Sequence, residues 1–263
     1  MYYNQIRRGI EESCSAEGEK ILEKRLEELI SNVTTYIPHE LRTPLVSIMG
    51  FTQIISDDLD SLSREEILNM IQNIEKSSRR LYRTIEKFID FAALECLSKE
   101  KNMNKELKES NLYAHTMTIK ETVMHMAEKE DRKEDLVASL EDAELQIPDN
   151  YLELISKELF DNALKFTKAG SKLEVTGAKG PYTYQLEIKD CGIGITEEEI
   201  SKIEPFRQFN RKTFQHNGNG LGLSIVRRIT DIFACGFTII SQKDSFTIVK
   251  IDFPYKNKLT EFV

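Results

Sequence analysis

Apolar residues recur at every third or fourth position through the first hundred residues, which is the spacing of one face of a helix. From about Glu17 to Asp58 this stripe consists of Leu22, Leu26, Leu29, Val33, Ile37, Leu41, Leu45 and Ile48. The largely acidic run 57–61 interrupts it, and a second stripe consists of Ile67, Met70, Ile71, Ile74, Leu81, Ile85, Phe88, Ile89 and Ala92. Ser63, with Glu66 three residues on, forms a capping box that starts the second helix. The pattern predicts a helical hairpin over residues 17–97.

This hairpin cannot bury both of its apolar stripes, because each helix has only one neighbour. Helices of about 40 and 35 residues are roughly 50–60 Å long at 1.5 Å per residue. A second copy of the chain would cover the stripes and form a dimeric four-helix bundle. The alternative is that the hairpin packs on the rest of its own chain. We favour the dimer because the polar stretch 98–110 is typical of a linker.

Residues 111–257 alternate between strand and helix patterns. Tyr182, Tyr184, Leu186 and Ile188 alternate with polar residues, as in a strand with one buried face. A second strand pattern over 246–253 places Val249, Ile251 and Phe253 on one face, and a helix pattern before it includes Ile225, Val226, Ile229, Ile232 and Phe233. These patterns predict an α/β sandwich, a mixed sheet with helices on one face. Residues 1–16 are expected to be a connector and 258–263 a frayed tail.

Composition and charge narrow the class of protein. The 263 residues carry a net charge of −8, which argues against general nucleic-acid binding but leaves nucleotide binding open. We expect no membrane segment in this chain and a cytoplasmic location, because no apolar run of about 18 residues and no signal-peptide pattern occur. The cysteines Cys14, Cys96, Cys191 and Cys235 are widely spaced, which argues against a disulfide framework and against a zinc site.

The first helix contains a histidine with chemical partners beside it. His39 lies opposite the apolar stripe, with Glu40 next to it and Thr43 one turn later. Glu40 could accept the Nδ1 proton and leave Nε2 free to attack an electrophile. Pro44 should bend the helix, and a proline inside a helix costs about 3 kcal/mol. That cost favours a functional site over an ordinary surface histidine.

Three segments of the second domain combine polar groups with glycines. Glu158, Asn162 and Lys165 share a helix face that suits Mg²⁺ and phosphate, although an ordinary amphipathic helix has the same pattern. Asp190, followed by Gly192 and Gly194, could accept from an exocyclic amine of a flat ligand, or could mark a turn. Three glycines spaced by two, Gly218, Gly220 and Gly222, run into a helix and favour an anion site. This last run matches neither a Walker P-loop nor a Gly-x-Gly-x-x-Gly motif.

Together these segments resemble the catalytic core of a sensor histidine kinase of a two-component system. HELRTPL at 39–45 matches the H-box, and NALKFT at 162–167 matches the second half of the N-box. DCGIGI at 190–195 matches the G1 box, PFRQF at 205–209 the F-box and GNGLGLSIV at 218–226 the G2 box. Order and spacing agree over about Glu17–Pro254.

The resemblance implies a dimerisation and histidine phosphotransfer domain, followed by the ATP-binding sandwich shared with gyrase-type and chaperone ATPases. Mg-ATP would phosphorylate His39, and an Asp of a response regulator would accept the phosphoryl group. Glu40 would be the general base of autophosphorylation. Thr43 would position water for dephosphorylation of the regulator. An upstream sensor domain or sensor protein is implied, but the sequence does not reveal it.

The resemblance also assigns the nucleotide site. Asn162, with Glu158, would bind Mg²⁺, Asp190 would bind the adenine amine, and 206–219 would be a mobile lid. The nucleotide-binding set implied is Glu158, Asn162, Lys165, Asp190, Gly192, Gly194, Phe206, Arg211, Lys212, Gly218, Gly220, Leu221 and Gly222.

Glu158 departs from the family pattern, whose N-box usually opens with Asn. In the related ATPases a Glu at this place activates water. The alternative function is therefore an ATPase that hydrolyses ATP through Glu158 without stable autophosphorylation. A third possibility is a pseudokinase scaffold, against which the intact His39, Asn162 and Asp190 argue.

Overall fold

The computed structural model describes residues 40–99, 112–201 and 220–255. The chain divides into two compact units, Met1–Ala93 and Leu94–Val263. Some of the residues singled out above lie outside the described ranges: His39, Phe206, Arg211, Lys212 and Gly218, together with the connector 1–16, residues 100–110 of the linker and the tail.

The predicted hairpin is described from residue 40 onward, and residues 40–93 of it belong to the first unit; its predicted residues 17–39 lie outside the described ranges. Helix α1 is described over residues 40–58 and continues through the buried Pro44, and helix α2 is Arg64–Lys99. The turn between them lies within the acidic run 57–61, with the N–H groups of Ser61 and Leu62 donating to the Asp58 carbonyl. The capping box is confirmed, because the Ser63 N–H and hydroxyl donate to Glu66 at 2.9 and 2.7 Å. These bonds lower the pKa of Glu66.

Much of the apolar surface of the hairpin is exposed to solvent in the single chain. Leu45, Ile71, Ile85 and Ile89 belong to the predicted stripes, and each is more than 40% exposed. Other exposed apolar side chains of the hairpin are Val46, Met49, Ile54, Leu68 and Tyr82. As the sequence predicts, two helices do not bury two stripes.

The second unit contains the α/β sandwich. Its helices are α3 (Met117–Lys129), α4 (Asp149–Phe166), α5 (Glu197–Ser201) and α6 (Gly222–Ile232). Its strands are β1 (Ala114–His115), β2 (Leu136–Leu140), β3 (Glu144–Leu145), β4 (Leu173–Lys179), β5 (Thr183–Asp190), β6 (Gly236–Gln242) and β7 (Phe246–Pro254), and a 3₁₀ turn covers Lys133–Asp135. In the described chain five strands form one sheet in the order β2-β4-β5-β7-β6. β2 pairs parallel with β4 and the other pairs are antiparallel, so the sheet is mixed.

The two faces of this sheet differ in polarity. Tyr184, Leu186 and Ile188 of β5 are buried, as are Ile251 and Phe253 of β7, and the two strands are in register. On the opposite face, charged residues pair across strands, with Glu174 to Lys189 at 3.4 Å and Glu187 to Lys250 at 2.7 Å. The alternation therefore predicts these strands correctly.

The start of β5 is one place where the sequence prediction was wrong. Tyr182 does not belong to the strand and is 82% exposed, because the chain turns at Gly180–Tyr182 and the strand begins only at Thr183. The Gly180 N–H donates to the Thr183 carbonyl at 2.7 Å, which closes this turn. The apolar alternation extends one step beyond the strand, because a tyrosine in a turn fits the alternating pattern as well as a tyrosine in a strand does.

Helix α6 ends in a turn at a residue other than glycine. Ala234 has φ +53°, and the N–H of Cys235 reaches back to the Thr230 carbonyl at 2.8 Å, as in a Schellman motif. A side chain in this left-handed conformation costs roughly 1 kcal/mol. The turn therefore carries avoidable strain.

We expect Ala234→Gly to raise the free energy of unfolding of the second unit by about 1 kcal/mol, because glycine adopts positive φ without a steric penalty. Urea unfolding, followed by circular dichroism, measures the change. Ala178→Gly, in the extended strand β4, is the matched control and should lower stability instead. A loss of stability in both variants would contradict the assignment of strain to Ala234.

Candidate functional site

Helix α4 carries the first group of predicted site residues. Ile155, Leu159 and Ala163 are buried and point its apolar face into the core. Glu158, on the same helix, is also buried, at 4% exposure, and Asn162 one turn later is half-buried. A carboxylate is rarely buried unless a partner compensates it, so this position is unusual for an ordinary amphipathic helix.

The start of helix α6 lies directly against Glu158. Gly222 is the first residue of this helix, and a Cβ there would lie 2.5 Å from Glu158 Oε2 and 3.7 Å from Asn162 Nδ2. A side chain here would press against the Glu158 carboxylate and displace it, so glycine permits this close approach. The structure thus brings Glu158, Asn162 and Gly222 together. The N–H groups at the start of α6 make the same place favourable for an anion.

The residues before α6 complete this end of the site. Leu221 is buried at 1% exposure and anchors the start of the helix in the core, and Gly220 adopts a positive φ of +68°. Both predicted residues therefore adjoin the α6 N-terminus. Gly218 and the lid residues lie outside the described part of the chain.

Lys165 has a partner that the sequence analysis missed. Its Nζ forms an ion pair with Asp161, four residues earlier on α4, and both side chains are about one quarter exposed. The i, i+4 spacing is a usual one for helical ion pairs and could have revealed it.

Asp190 lies at the end of β5, at 8% exposure. Its Oδ1 accepts the Gly192 N–H at 3.0 Å. Burial raises the pKa of Asp190 to about 6, and the Gly192 hydrogen bond opposes that rise. A buried carboxylate at a strand end, followed by exposed backbone, can accept a hydrogen bond from an amino group of a ligand.

The loop after Asp190 is held by the β6–β7 turn. The Asp244 N–H donates to the Ile193 carbonyl at 2.6 Å, and the Ile195 N–H donates to Ser241 Oγ at 2.9 Å. Gly194 is buried against this turn with φ +58°. The sequence offered no signal for the Ser241 contact, because the two segments are more than forty residues apart.

In the hairpin, Glu40 and Thr43 occupy the same helix α1. Arg80 of α2 lies 3.6 Å from Glu40 Oε2, so a guanidinium adjoins the predicted base. Thr43 is exposed, and its carbonyl accepts the Ser47 hydroxyl at 3.2 Å. The sequence analysis did not identify Arg80, which follows Glu40 by forty residues.

The described residues contain no cluster of three or more His, Cys, Asp or Glu side chains that could hold a metal ion. Within the same ranges, no helix has the length and apolarity needed to cross a membrane. The oxygen pair of Glu158 and Asn162 thus supplies fewer protein ligands than a structural metal site needs, although Mg²⁺ often keeps water and phosphate oxygens as ligands.

Comparisons with protein families agree with this two-part organisation. Residues 24–97 match the His Kinase A (phospho-acceptor) domain, and residues 148–257 match the histidine kinase-, DNA gyrase B- and HSP90-like ATPase family. The chain belongs to the histidine kinases. Its second unit is an ATP-binding domain of that kind.

Curated relatives resemble the chain over most of its length. The cell-division control histidine kinase PdhS of Brucella anthropi is 24% identical over 83% of this chain, and the drug sensory protein A of Synechocystis is 30% identical over 79%. The autoinducer 2 sensor kinase/phosphatase LuxQ of Vibrio parahaemolyticus is 28% identical over 84%. The chain spans only 21%, 32% and 26% of those proteins, in the same order.

Solved structures share the fold. The histidine kinase AdeS of Acinetobacter baumannii matches with a TM-score of 0.59 and 23% identity, covering 83% of this chain and 98% of that one. The histidine kinase ThkA, solved with the response regulator protein TrrA, matches with a TM-score of 0.62 and 20% identity, covering 93% and 68%. The helical hairpin and mixed-sheet domain are thus confirmed as a histidine kinase architecture.

Because burial raises the pKa of Asp190, the ionised form of this carboxylate should lower the free energy of unfolding. Its folded pKa of about 6 exceeds the ordinary unfolded value of about 3.9. The contribution of Asp190 to the free energy of unfolding is fully present below the unfolded pKa and is lost as the pH rises through 6. We expect Asp190→Asn to raise the free energy of unfolding of the nucleotide-free protein at pH 8 by roughly 1–3 kcal/mol, with the gain vanishing near pH 4.

Urea unfolding across this pH range measures the effect. Asp60→Asn makes the same chemical change at an exposed position and should leave stability unchanged. Equal stabilities of the wild type and Asp190→Asn at pH 8 would show that the buried, ionised Asp190 does not destabilise the protein.

Proposed function

We propose that this chain autophosphorylates His39 from Mg-ATP and passes the phosphoryl group to an Asp of a response regulator. The observation that carries the proposal is the grouping of Glu158 and Asn162 at the N-terminus of α6, in an ATPase-type domain that follows a phospho-acceptor domain. Asp190 supplies a buried acceptor for the adenine amine. The chain thereby combines an ATP site with a candidate acceptor histidine.

The phosphate end of the site suits a divalent cation. The buried Glu158 carboxylate adjoins the same helix N-terminus that attracts phosphate, and two anionic groups there would repel each other without a cation between them. Glu158 and Asn162 offer two oxygen ligands one turn apart. Mg²⁺, when bound, neutralises charge on the phosphates and helps to orient them. Gly220, Leu221 and Gly222 would contribute backbone N–H groups, and Lys165 would contribute positive charge. The same roles are proposed for Gly218, Arg211 and Lys212, which lie outside the described residues.

At the hairpin, Glu40 would accept the imidazole proton as His39 attacks the γ-phosphorus of ATP, the bond to the bridging oxygen breaks and ADP leaves. Arg80, 3.6 Å from Glu40, would hold this carboxylate in position. Thr43, exposed one turn from His39, would position water when the regulator is dephosphorylated. The same helix would then serve both phosphorylation of the regulator and hydrolysis of its phosphoryl group.

Two partners belong to the proposal. The exposed stripe residues of α1 and α2 favour a homodimer, in which a second hairpin covers them as a four-helix bundle. A response regulator receiver is proposed because a related kinase was solved with one. Signal input would come from a sensor domain or protein beyond these residues, and the reactions would take place in the cytoplasm, where ATP is available.

The second candidate is an ATPase that hydrolyses ATP through Glu158 without a stable phosphoprotein. The burial of Glu158 beside the phosphate end is the observation in its favour. Family comparisons do not favour this candidate over the kinase.

We expect His39→Gln to abolish labelling from γ-labelled ATP, because the acceptor nitrogen is removed. The label on the wild type should be lost in acid and stable in base, as for a phosphoramidate. His125→Gln, at an exposed position of α3, is the matched control and should label like the wild type. Acid-labile label that persists on the His39 variant would refute the assignment.

A second test separates the roles of Glu158. If Glu158 binds Mg²⁺, Glu158→Gln should raise the Mg²⁺ concentration needed for half-maximal labelling by about tenfold or more, since even loss of an outer-shell partner of a metal lowers its affinity about 10–100-fold. At low Mg²⁺ the rate of phosphate release would fall together with the extent of labelling, and excess Mg²⁺ would restore both quantities. Glu153→Gln, on the same helix and paired with Lys157, should change neither.

If the chain is instead a hydrolase, a different result is expected for Glu158→Gln. Removal of a general base would lower phosphate release by about 10²-fold or more, excess Mg²⁺ would not restore it, and neither the wild type nor the variant would carry stable label. That result would favour water activation by Glu158 over metal binding.

A further inference from the structure

Arg132 is a buried arginine that the function described so far does not use. It follows α3, with its side chain 7% exposed. Its Nε donates to Asp135, and this hydrogen bond lowers the pKa of that carboxyl. Asp135 in turn accepts the Gly170 N–H at 3.0 Å. A buried charge with this many partners has a fixed position.

The remaining donors of Arg132 hold the C-terminal end of α4 and the chain that follows. Nη1 donates to Thr167 Oγ1 at 3.0 Å and lies 3.4 Å from the carbonyls of Leu164 and Thr167. Nη2 donates to the carbonyls of Lys168 and Ser171 at 2.8 and 3.1 Å. The last carbonyls of a helix have no partner within the helix. One guanidinium thus lies against the Leu164 carbonyl of the last turn and the carbonyls of Thr167, Lys168 and Ser171 beyond it.

That same helix end touches the loop after Asp190. The Ile193 N–H donates to the Phe166 carbonyl at 3.3 Å. A Cβ at Gly192 would lie only 2.3 Å from this carbonyl oxygen, so the loop and the helix end are in close contact. Gly192 also donates to Asp190. Displacement of Phe166 would therefore move the backbone that orients the Asp190 carboxylate.

We propose that Arg132 is a positioning residue for the base-binding end of the nucleotide site, acting through the α4 C-terminus on the Asp190–Gly192 turn. The proposal rests on the ATP-binding function proposed above. Arg132 touches no substrate, and its effect reaches the nucleotide only through the Phe166 carbonyl. Its loss should weaken binding of the base more than it slows phosphoryl transfer, because the Asp190–Gly192 turn contacts the released helix end directly, whereas Asn162 and Glu158 lie about one and two turns before Phe166 within the helix.

The test uses the whole chain with Arg132→Lys, which keeps the charge but cannot span all the carbonyls. We expect the KM for ATP and the dissociation constant of adenosine to rise about tenfold, with kcat for autophosphorylation within about twofold of the wild type. Adenosine is used because it reports base binding without phosphate contacts. Hydrogen exchange at the Ile193 N–H should accelerate, since its acceptor loosens.

Thr167→Val is the second, milder variant. It removes the hydroxyl that accepts from Nη1 and nearly keeps the shape, so it remains informative if the lysine variant does not fold. A smaller rise in the adenosine dissociation constant, about threefold, is expected.

Tyr184→Phe controls for general loss of stability. It removes a hydrogen bond of 3.0 Å to the Glu141 carbonyl at the far end of β5, about 20 Å from Asp190 along the strand. It should lower stability and leave adenosine binding and exchange at Ile193 unchanged.

The outcomes separate this inference from the proposed function. If the wild type binds neither ATP nor adenosine, the proposed function fails. If the wild type binds and the Arg132 and Thr167 variants bind equally well, the positioning role is refuted. If Tyr184→Phe weakens binding as much as they do, general destabilisation explains the effect and the positioning role is again refuted.

Discussion

The site depends on the way helix α4 buries its apolar face. Ile155, Leu159 and Ala163 lie in the core, and this leaves the helix only one rotation about its axis. That rotation directs Glu158 toward the first residue of α6. Since successive residues of a helix are about 100° apart, a shift by one position would turn the carboxylate away from Gly222. Core packing and site chemistry are therefore set by the same contact.

Helix α4 also links the two ends of the candidate nucleotide site. Glu158 and Asn162 lie at the phosphate end, and the Phe166 carbonyl meets the loop after Asp190. From Glu158 to Phe166 the helix rises about 12 Å, a span on the scale of a nucleotide. The loop is held between this helix end and the β6–β7 turn, where Ser241 and Asp244 contact its backbone. Helix α4 would thus help to position both the base and the phosphates of a bound nucleotide.

Local patterns in the sequence predicted most of the elements. Apolar alternation located β5 and β7, the apolar face of α6 was recognised from its spacing, and the capping box located the start of α2. These signals act over a few residues, so they survive without tertiary information. The same local logic failed at Tyr182, which alternates correctly but lies in a turn. It also missed the ion pair of Lys165 with Asp161, although that pair is local.

The amino-acid sequence by itself determined the order of the two domains, the helix and strand periods, and the residue types that bring chemistry to each motif, because each of these is written within a short stretch of chain. Only the tertiary structure decided that Glu158 is buried against Gly222, that Asp190 is desolvated, and that Arg80 lies beside Glu40. It also decided that Arg132 holds carbonyls 32 to 39 residues away. Burial, desolvation and such contacts are made by segments far apart in the chain, and they exist only once those segments pack together.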